Sequence, residues 1–351
     1  MFISNDEISS CFSGCDYFRL GSNQEYVNST GHRGDAIKFT VAASRKTTGN
    51  HPLYEQIEGG FRRFFEADSV LIVPTGFLAP LIAAQALKGV FSHVLIDSQA
   101  HPALWLAARE IGAEIVSFEH CNADNIRRIM ETERSIRRLI VMTDGIFSID
   151  GRIAPLKDYL QILPDTALIL VDDAHGAGVL GESGQGTVEH FRLGRNRTVQ
   201  TASLAKAFGA YGGLIIGARE IIDAIWSRSS AFAGTTPLPL PVVAACKRSL
   251  SIMRKHGSVL RKRLQENIAY VKKALVAGGL PIGLDPTPIF RIVPTSDQEA
   301  RRLCQKLRRS GIKPPFIAYP GGPITGFFRF AISSEHSQSE LDRLICPLLR
   351  A

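Results

Sequence analysis

Short apolar runs alternate with longer amphipathic ones between about residues 52 and 203, and this constrains the fold more than any other feature of the chain. The runs at 69–73, 94–96, 114–118, 139–142 and 167–171 are rich in β-branched residues and bounded by polar or glycine-containing segments, as strands are. Between them, residues 76–88, 102–111, 123–131 and 156–163 carry apolar side chains at helical spacing. Ahead of the first strand, residues 52–66 read as a helix with Pro52 near its start and Leu53, Ile57, Phe61, Phe64 and Phe65 on roughly one face. Such alternation predicts an α/β protein: a mostly parallel sheet with helices on both faces.

The run Thr236-Pro237-Leu238-Pro239-Leu240-Pro241 predicts a boundary, because closely spaced prolines cannot continue a helix or a ladder. Two long helical patterns follow, to about Ala277. The rest reads as strand 289–293, helix 298–310, strands 316–318 and 327–332, and helix 337–349, a small α+β domain of ordinary size. The first fifty residues are polar and lack periodicity. The expected organisation is therefore an N-terminal arm over 1–50, a large domain over 51–240 and a small C-terminal domain over 241–351.

Composition excludes several classes. The formal charge of +8 (41 basic, 33 acidic residues) is spread along the chain, except that Arg301, Arg302, Lys306, Arg308 and Arg309 share one expected helix. That cluster is either a solvated face or a place for an anion such as a coenzyme A phosphate. No basic motif interleaved with aromatics points to nucleic acid. The six cysteines show no zinc spacing, and their scatter fits reduced thiols in a cytoplasmic protein. The N-terminus is acidic where a signal peptide is basic, and no apolar run is long enough to span a membrane.

Two strand ends carry chemistry. The first is Val171-Asp172-Asp173-Ala174-His175-Gly176; the second is Thr201-Ala202-Ser203-Leu204-Ala205-Lys206 with Gly209, Gly212 and Gly213 beyond it. Ligands of open parallel sheets bind at the strands' carboxyl ends. A lysine there can form a Schiff base with pyridoxal 5'-phosphate (PLP), and a carboxylate can keep the pyridinium nitrogen protonated. Lys206 and Asp172 fit these roles; a surface lysine and a capping aspartate are the plainer alternatives. The tandem Asp172-Asp173 goes beyond what a single cap requires. His175 is suited to the phenolic oxygen of PLP, to supporting Asp172, or to ordering a turn. Thr75-Gly76-Phe77 follows a strand and opens a helix, an arrangement that cradles phosphate with backbone N–H groups and a hydroxyl. Ser203, Thr235 and Thr236 offer further hydroxyls. His101 follows another strand, where it either stacks on the cofactor ring or orders a turn. Asp144 and Ser148 follow the strand 139–142 in the same way. Arg329 sits among apolar residues in the run 326–332; if buried it requires an anion, and an amino-acid carboxylate fits its planar fork.

Taken together these segments resemble the α-oxoamine synthases, the family of 8-amino-7-oxononanoate synthase, 2-amino-3-ketobutyrate CoA ligase, serine palmitoyltransferase and 5-aminolevulinate synthase. The resemblance covers about residues 42–349. It rests on Thr48-Gly49-Asn50-His51-Pro52-Leu53-Tyr54-Glu55, on Gly145-Ile146-Phe147-Ser148-Ile149-Asp150-Gly151 with Ala154-Pro155-Leu156, on the aspartate run with Gly178 and Gly181, on the lysine segment, and on Arg329 ahead of Ser333-Ser334-Glu335-His336. It implies a fold type I PLP-dependent transferase, a large mostly parallel domain plus a small α+β one, forming homodimers with shared active sites. It further implies that Lys206 carries PLP, Asp172 pairs with its nitrogen, and His101 stacks on its ring. Ser148 and His175 would lie near its phenolic oxygen, and Gly76, Phe77 and Ser203 at its phosphate. Thr235 or Thr236 would reach that phosphate from the partner subunit, and Arg329 would hold the amino-acid carboxylate. The implied reaction is decarboxylative condensation of a small amino acid with an acyl thioester, on coenzyme A or a carrier protein, giving an α-amino ketone. Another PLP reaction on the same scaffold, or a non-catalytic partner subunit, are the alternatives. The chain departs from the family at Asp144, where glutamate is usual, at Ser203 and Ala205, and in the compressed segment Cys15-Asp16-Tyr17-Phe18-Arg19-Leu20.

Overall fold

The structure, a computed structural model, describes residues 10–22, 39–133, 136, 138–318 and 326–349. Much of the expected N-terminal arm, including its acidic first residues, lies outside them. The chain forms two compact units: Arg19–Phe147 with Ile153–Val259, and Met1–Phe18 with Ser148–Arg152 and Leu260–Ala351.

The larger unit holds a seven-stranded sheet: β1 (Ser69–Val73), β2 (His93–Asp97), β3 (Glu114–Phe118), β4 (Leu139–Asp144), β5 (Leu168–Asp172), β6 (Thr198–Ser203) and β7 (Gly213–Gly217). Their spatial order is β1-β7-β6-β5-β4-β2-β3. Strands β3, β2, β4, β5 and β6 are parallel neighbours, whereas β7 runs antiparallel to both β6 and β1. A mostly parallel sheet was the expectation, and its physical reason is visible in two separate cores. Ile96, Ile140, Met142 and Leu170 pack into one cluster, Leu95, Val141, Ile169 and Val171 into another. Alternate side chains on one strand point to opposite faces. Both faces are covered, so these strands read as continuous apolar runs.

The connecting helices begin where the sequence places capping residues. His51 caps Pro52–Phe64 and His101 caps Pro102–Ile111; in each the ring Nδ1 accepts from a backbone N–H, and proline occupies the first turn. One expectation is corrected. The two helical patterns after the proline-rich stretch are a single helix, Leu240–Ala277. Gly257 lies inside it and is buried. An internal glycine costs only about 1 kcal/mol relative to alanine, too little to break a helix held by packing.

The smaller unit contains an antiparallel sheet ordered β8 (Ile289–Ile292), β10 (Phe327–Ala331), β9 (Phe316–Ile317). Phe290 stacks on Phe330 at 5.1 Å between ring centres. Phe328 and Phe330 are fully buried, and Arg329, between them, projects to the other face of the strand. Residues from the N-terminal side complete this unit: Ala331 N donates to Phe12 O and Ser334 N to Tyr17 O.

Candidate active site

Register brings the chemistry of the larger unit to one edge. β4, β5 and β6 pair so that Asp144, Asp172 and Thr201 lie side by side, and Ser203 opposes Gly213. Asp144, Asp172 and Ser203 end parallel strands, where such sheets bind ligands.

Lys206 follows β6 and His175 follows β5, and Lys206 Nζ stands 2.8 Å from His175 Nε2. Asp172 is buried at the end of β5, its Oδ1 accepting from Ala174 N at 3.1 Å and from Thr201 Oγ1 at 3.4 Å. Burial raises its carboxyl pKa above the usual range, while the nearby Lys206 and His101 oppose the rise. Burial lowers the His101 imidazole; Asp172 works against this and Lys206 adds to it. Asp172, Lys206 and His101 thus form one electrostatic group.

His101 is held from two sides. Its N–H donates to Asp144 Oδ2 at 2.8 Å, and its Nδ1 accepts from Ala103 N. The ring therefore keeps its proton on Nε2. Phe77 meets it edge to face at 6.0 Å. Asp144 is buried, and burial together with the neighbouring Asp172 pushes its carboxyl well up. Asp144 and Thr201, expected only to lie near strand ends, stand beside Asp172. Only the strand register, which is non-local, sets both beside Asp172.

The turn Thr75-Gly76-Phe77 has the close approach that a phosphate cradle needs. A Cβ on Gly76 would stand 2.7 Å from Ser203 Cβ, and one on Gly213 would stand 2.4 Å from Thr75 O. Thr75 Oγ1 accepts from Leu78 N, which opens the helix Leu78–Ala86. Thr75, Gly76, Ser203, Lys206, His175 and Asp172 thus lie along one edge of one unit, and their donor set fits PLP: amine, carboxylate, hydroxyls and backbone N–H groups. Thr235 is partly buried and Thr236 exposed, just after the helix Ser230–Gly234.

Asp173 plays a different part from its neighbour. It is fully buried and its Oδ2 accepts from Thr187 N and Gln200 Nε2, each at 2.7 Å. Its Oδ1 and Thr187 Oγ1 are buried beside one another, and among the described residues neither meets another hydrogen-bond partner. A Cβ on Gly145, Gly176 or Gly186 would come within 2.4, 2.0 or 1.9 Å of this carboxylate. Burial pushes its pKa from 3.8 up to about 7, against the pull of the Thr187 and Gln200 hydrogen bonds. A raised folded pKa means that unfolding releases this proton between about pH 4 and 7, so stability falls as pH rises through that window. Asp173→Asn keeps the accepting oxygen and removes the titration. In urea unfolding at pH 5 and pH 7, the variant should lose about 2 kcal/mol less than the wild type between the two pH values. Equal losses would show that Asp173 is not the titrating group.

Ser148 and Arg329 come together in the smaller unit. Arg329 Nε donates to Ser148 O, and its Nη2 lies 3.5 Å from Cys15 Sγ. Among the described residues no carboxylate pairs with it. Burial opposes the Arg329 charge, but Cys15 and Tyr17 outweigh this and raise its pKa. Burial pushes the Tyr17 phenol well up, Cys15 adds to this, and Arg329 opposes it. Arg329 is half-buried, and its partners among the described residues include Ser148 O and Cys15 Sγ.

The fold is that of fold type I PLP-dependent transferases. The family model for aminotransferase class I and II matches residues 35–347. An 8-amino-7-oxononanoate synthase from Symbiobacterium thermophilum is 31% identical over 341 residues, 96% of this chain and 87% of the relative. The 8-amino-7-oxononanoate synthase 1 of Bacillus subtilis is 28% identical over 335 residues, covering 95% and 85%. Among solved structures, a serine palmitoyltransferase from Sphingomonas wittichii superposes with a TM-score of 0.88 at 21% identity, covering 97% of this chain and 86% of that one. An 8-amino-7-oxononanoate synthase from Francisella tularensis gives 0.80 at 22%, covering 98% and 97%. The chain belongs to the aminotransferase class I and II family and, within it, to the α-oxoamine synthases, PLP-dependent acyltransferases that condense an amino acid with an acyl thioester. Among the described residues no helix is long and apolar enough to cross a membrane.

Proposed function

We propose that Lys206, Asp172, His175 and His101 carry the decarboxylative condensation of a small amino acid with an acyl thioester. The observation that carries this assignment is the 2.8 Å approach of Lys206 Nζ to His175 Nε2 beside the buried Asp172. Bound PLP supplies an electron sink for the negative charge left at the amino-acid α-carbon. Lys206 holds the cofactor and moves the α-proton at its Nζ, a short step for an amine held against an imidazole. Asp172 would pair with the cofactor nitrogen, and Lys206 and His101 work against the burial that raises its carboxyl pKa. Asp144 fixes the His101 backbone, and the His101 ring would stack on the cofactor. Thr75, Gly76, Phe77 and Ser203 bind the phosphate, with Thr235 or Thr236 of a second copy completing it. Arg329 holds the substrate carboxylate in a bidentate fork, with Ser148 fixing its Nε. The product in the relatives' name has an amine at C8 beside a ketone at C7, the α-amino ketone pattern that this reaction yields. Working as a homodimer in the cytoplasm agrees with this reading; the free cysteines favour a reducing compartment. Lys206 and Asp172 are both present and adjacent, which disfavours a non-catalytic subunit.

Purified protein supplied with PLP should release free thiol and carbon dioxide together when given alanine, glycine or serine with an acyl thioester of matching chain length. Thiol release without carbon dioxide, or neither across a broad panel of coenzyme A and carrier-protein thioesters, would overturn the reading.

A further inference from the structure

A second group of reactive side chains lies at the ends of β2 and β3. Asp97 closes β2 and is fully buried, while His120 and Cys121 follow β3. Asp97 Oδ1 lies 2.9 Å from His120 Nδ1, and Cys121 Sγ lies 3.7 Å from His120 Nε2. The three ligating atoms fall within 4.8 Å of one another. Asp97 also accepts from Gln99 N at 2.8 Å and from Cys121 N at 2.9 Å, so both its oxygens are taken up. That leaves the carboxylate to orient the imidazole rather than to ligate a metal. With Nδ1–H donated to Asp97, Nε2 carries the lone pair and faces the thiol. The ring is fixed further by Phe147, edge to face at 4.3 Å and 89°.

Cys121 adopts φ = 53°, in the left-handed region that a side chain rarely occupies. Such a conformation is strained and persists only where its surroundings hold it. Here the Asp97 carboxylate holds it, through the Cys121 N–H. The same carboxylate therefore orients the base and sets the thiol against it. Carboxylate, imidazole and thiol in this order form an orienter, a base and a nucleophile. Cys121 is partly exposed, so a small reagent can reach it.

We propose that Cys121 is a nucleophilic thiol, activated by the Asp97–His120 pair, that takes up low-molecular-weight disulfides as a mixed disulfide. The Cys121 proton passes to His120 Nε2, and the thiolate attacks one sulfur of the disulfide. A new S–S bond forms to Cys121 as the original S–S bond breaks. The departing sulfur leaves as a thiolate and takes the proton from His120, so one thiol is consumed, one is released, and the disulfide is the oxidant.

The chain carries its own reference thiols, since Cys11 and Cys346 are exposed. The test treats the full-length protein with oxidised glutathione at pH 7 and follows adduct formation at each cysteine by peptide mass spectrometry. Only a few per cent of an ordinary thiol is ionised there, so Cys121 should gain its adduct about tenfold faster than Cys11 and Cys346 despite lower exposure. In His120→Asn and His120→Gln the Cys121 rate should fall to that of the reference thiols or below, with theirs unchanged. A Cys121 rate no higher than theirs in the wild type would overturn the proposal without any variant. So would a fast Cys121 rate that survives in whichever His120 variant folds.

Discussion

Lys206→Ala is expected to lower turnover by at least about a thousandfold while the protein still folds, because the amine that holds the cofactor and moves the proton is gone. The change removes a partly exposed side chain at a strand end. It forfeits the contact with His175 but leaves no large cavity in the core, so thermal unfolding should shift by no more than a few degrees. Borohydride reduction followed by peptide mass spectrometry should find the cofactor attached to residue 206 in the wild type and to no lysine in the variant. Turnover within about tenfold of wild type, or attachment at another lysine, would remove Lys206 from the mechanism.

The second large effect concerns Asp172. Asp172→Asn keeps an oxygen to accept from Ala174 N and from Thr201 Oγ1, so the end of β5 should hold its shape. What it removes is a buried negative charge in the field of Lys206 and His101. Without that charge the cofactor nitrogen loses its counter-ion, and stabilisation of the carbanion drops. Removing one group aimed at developing charge costs about 10²–10³ in kcat, and a loss of that size is expected here. Steady-state kinetics at saturating amino acid and thioester measure it. A variant with kcat within about fivefold of wild type would break the assigned pairing. Reciprocally, KM for the amino acid should change less than kcat, because Asp172 does not hold the substrate carboxylate.

How much of this was legible in the chain depends on whether the information is local. The strands at 69–73 and 114–118 and the helix at 102–111 have the bounds that their apolar spacing predicts. Proline at a helix start and a histidine before it are signals contained in a few residues. Residues 240–277 were expected as two helices; they form one, continuous through Gly257, and the packing that outweighs a glycine is not local. Asp172 and Asp173 were read together as a tandem. Consecutive side chains at a strand end point to opposite sides, so one carboxylate meets Lys206 and the other is enclosed by Gly145, Gly176, Gly186, Thr187 and Gln200. Asp144 and Thr201 became part of the site only through register. Arg329 found Cys15 more than three hundred positions away along the chain, a pairing that no spacing rule reaches.

The enclosure of Asp173 bears on how this site is able to change over time. A methyl group arriving at position 145, 176 or 186 meets the same carboxylate before anything else. Mutations at contacting positions do not add independently, so these four residues are inherited as a block: drift at one is blocked until another has already changed. Phe77 is about half exposed and does not touch this carboxylate. New substrate preferences should therefore accumulate around the mouth of the site, while its floor stays as it is.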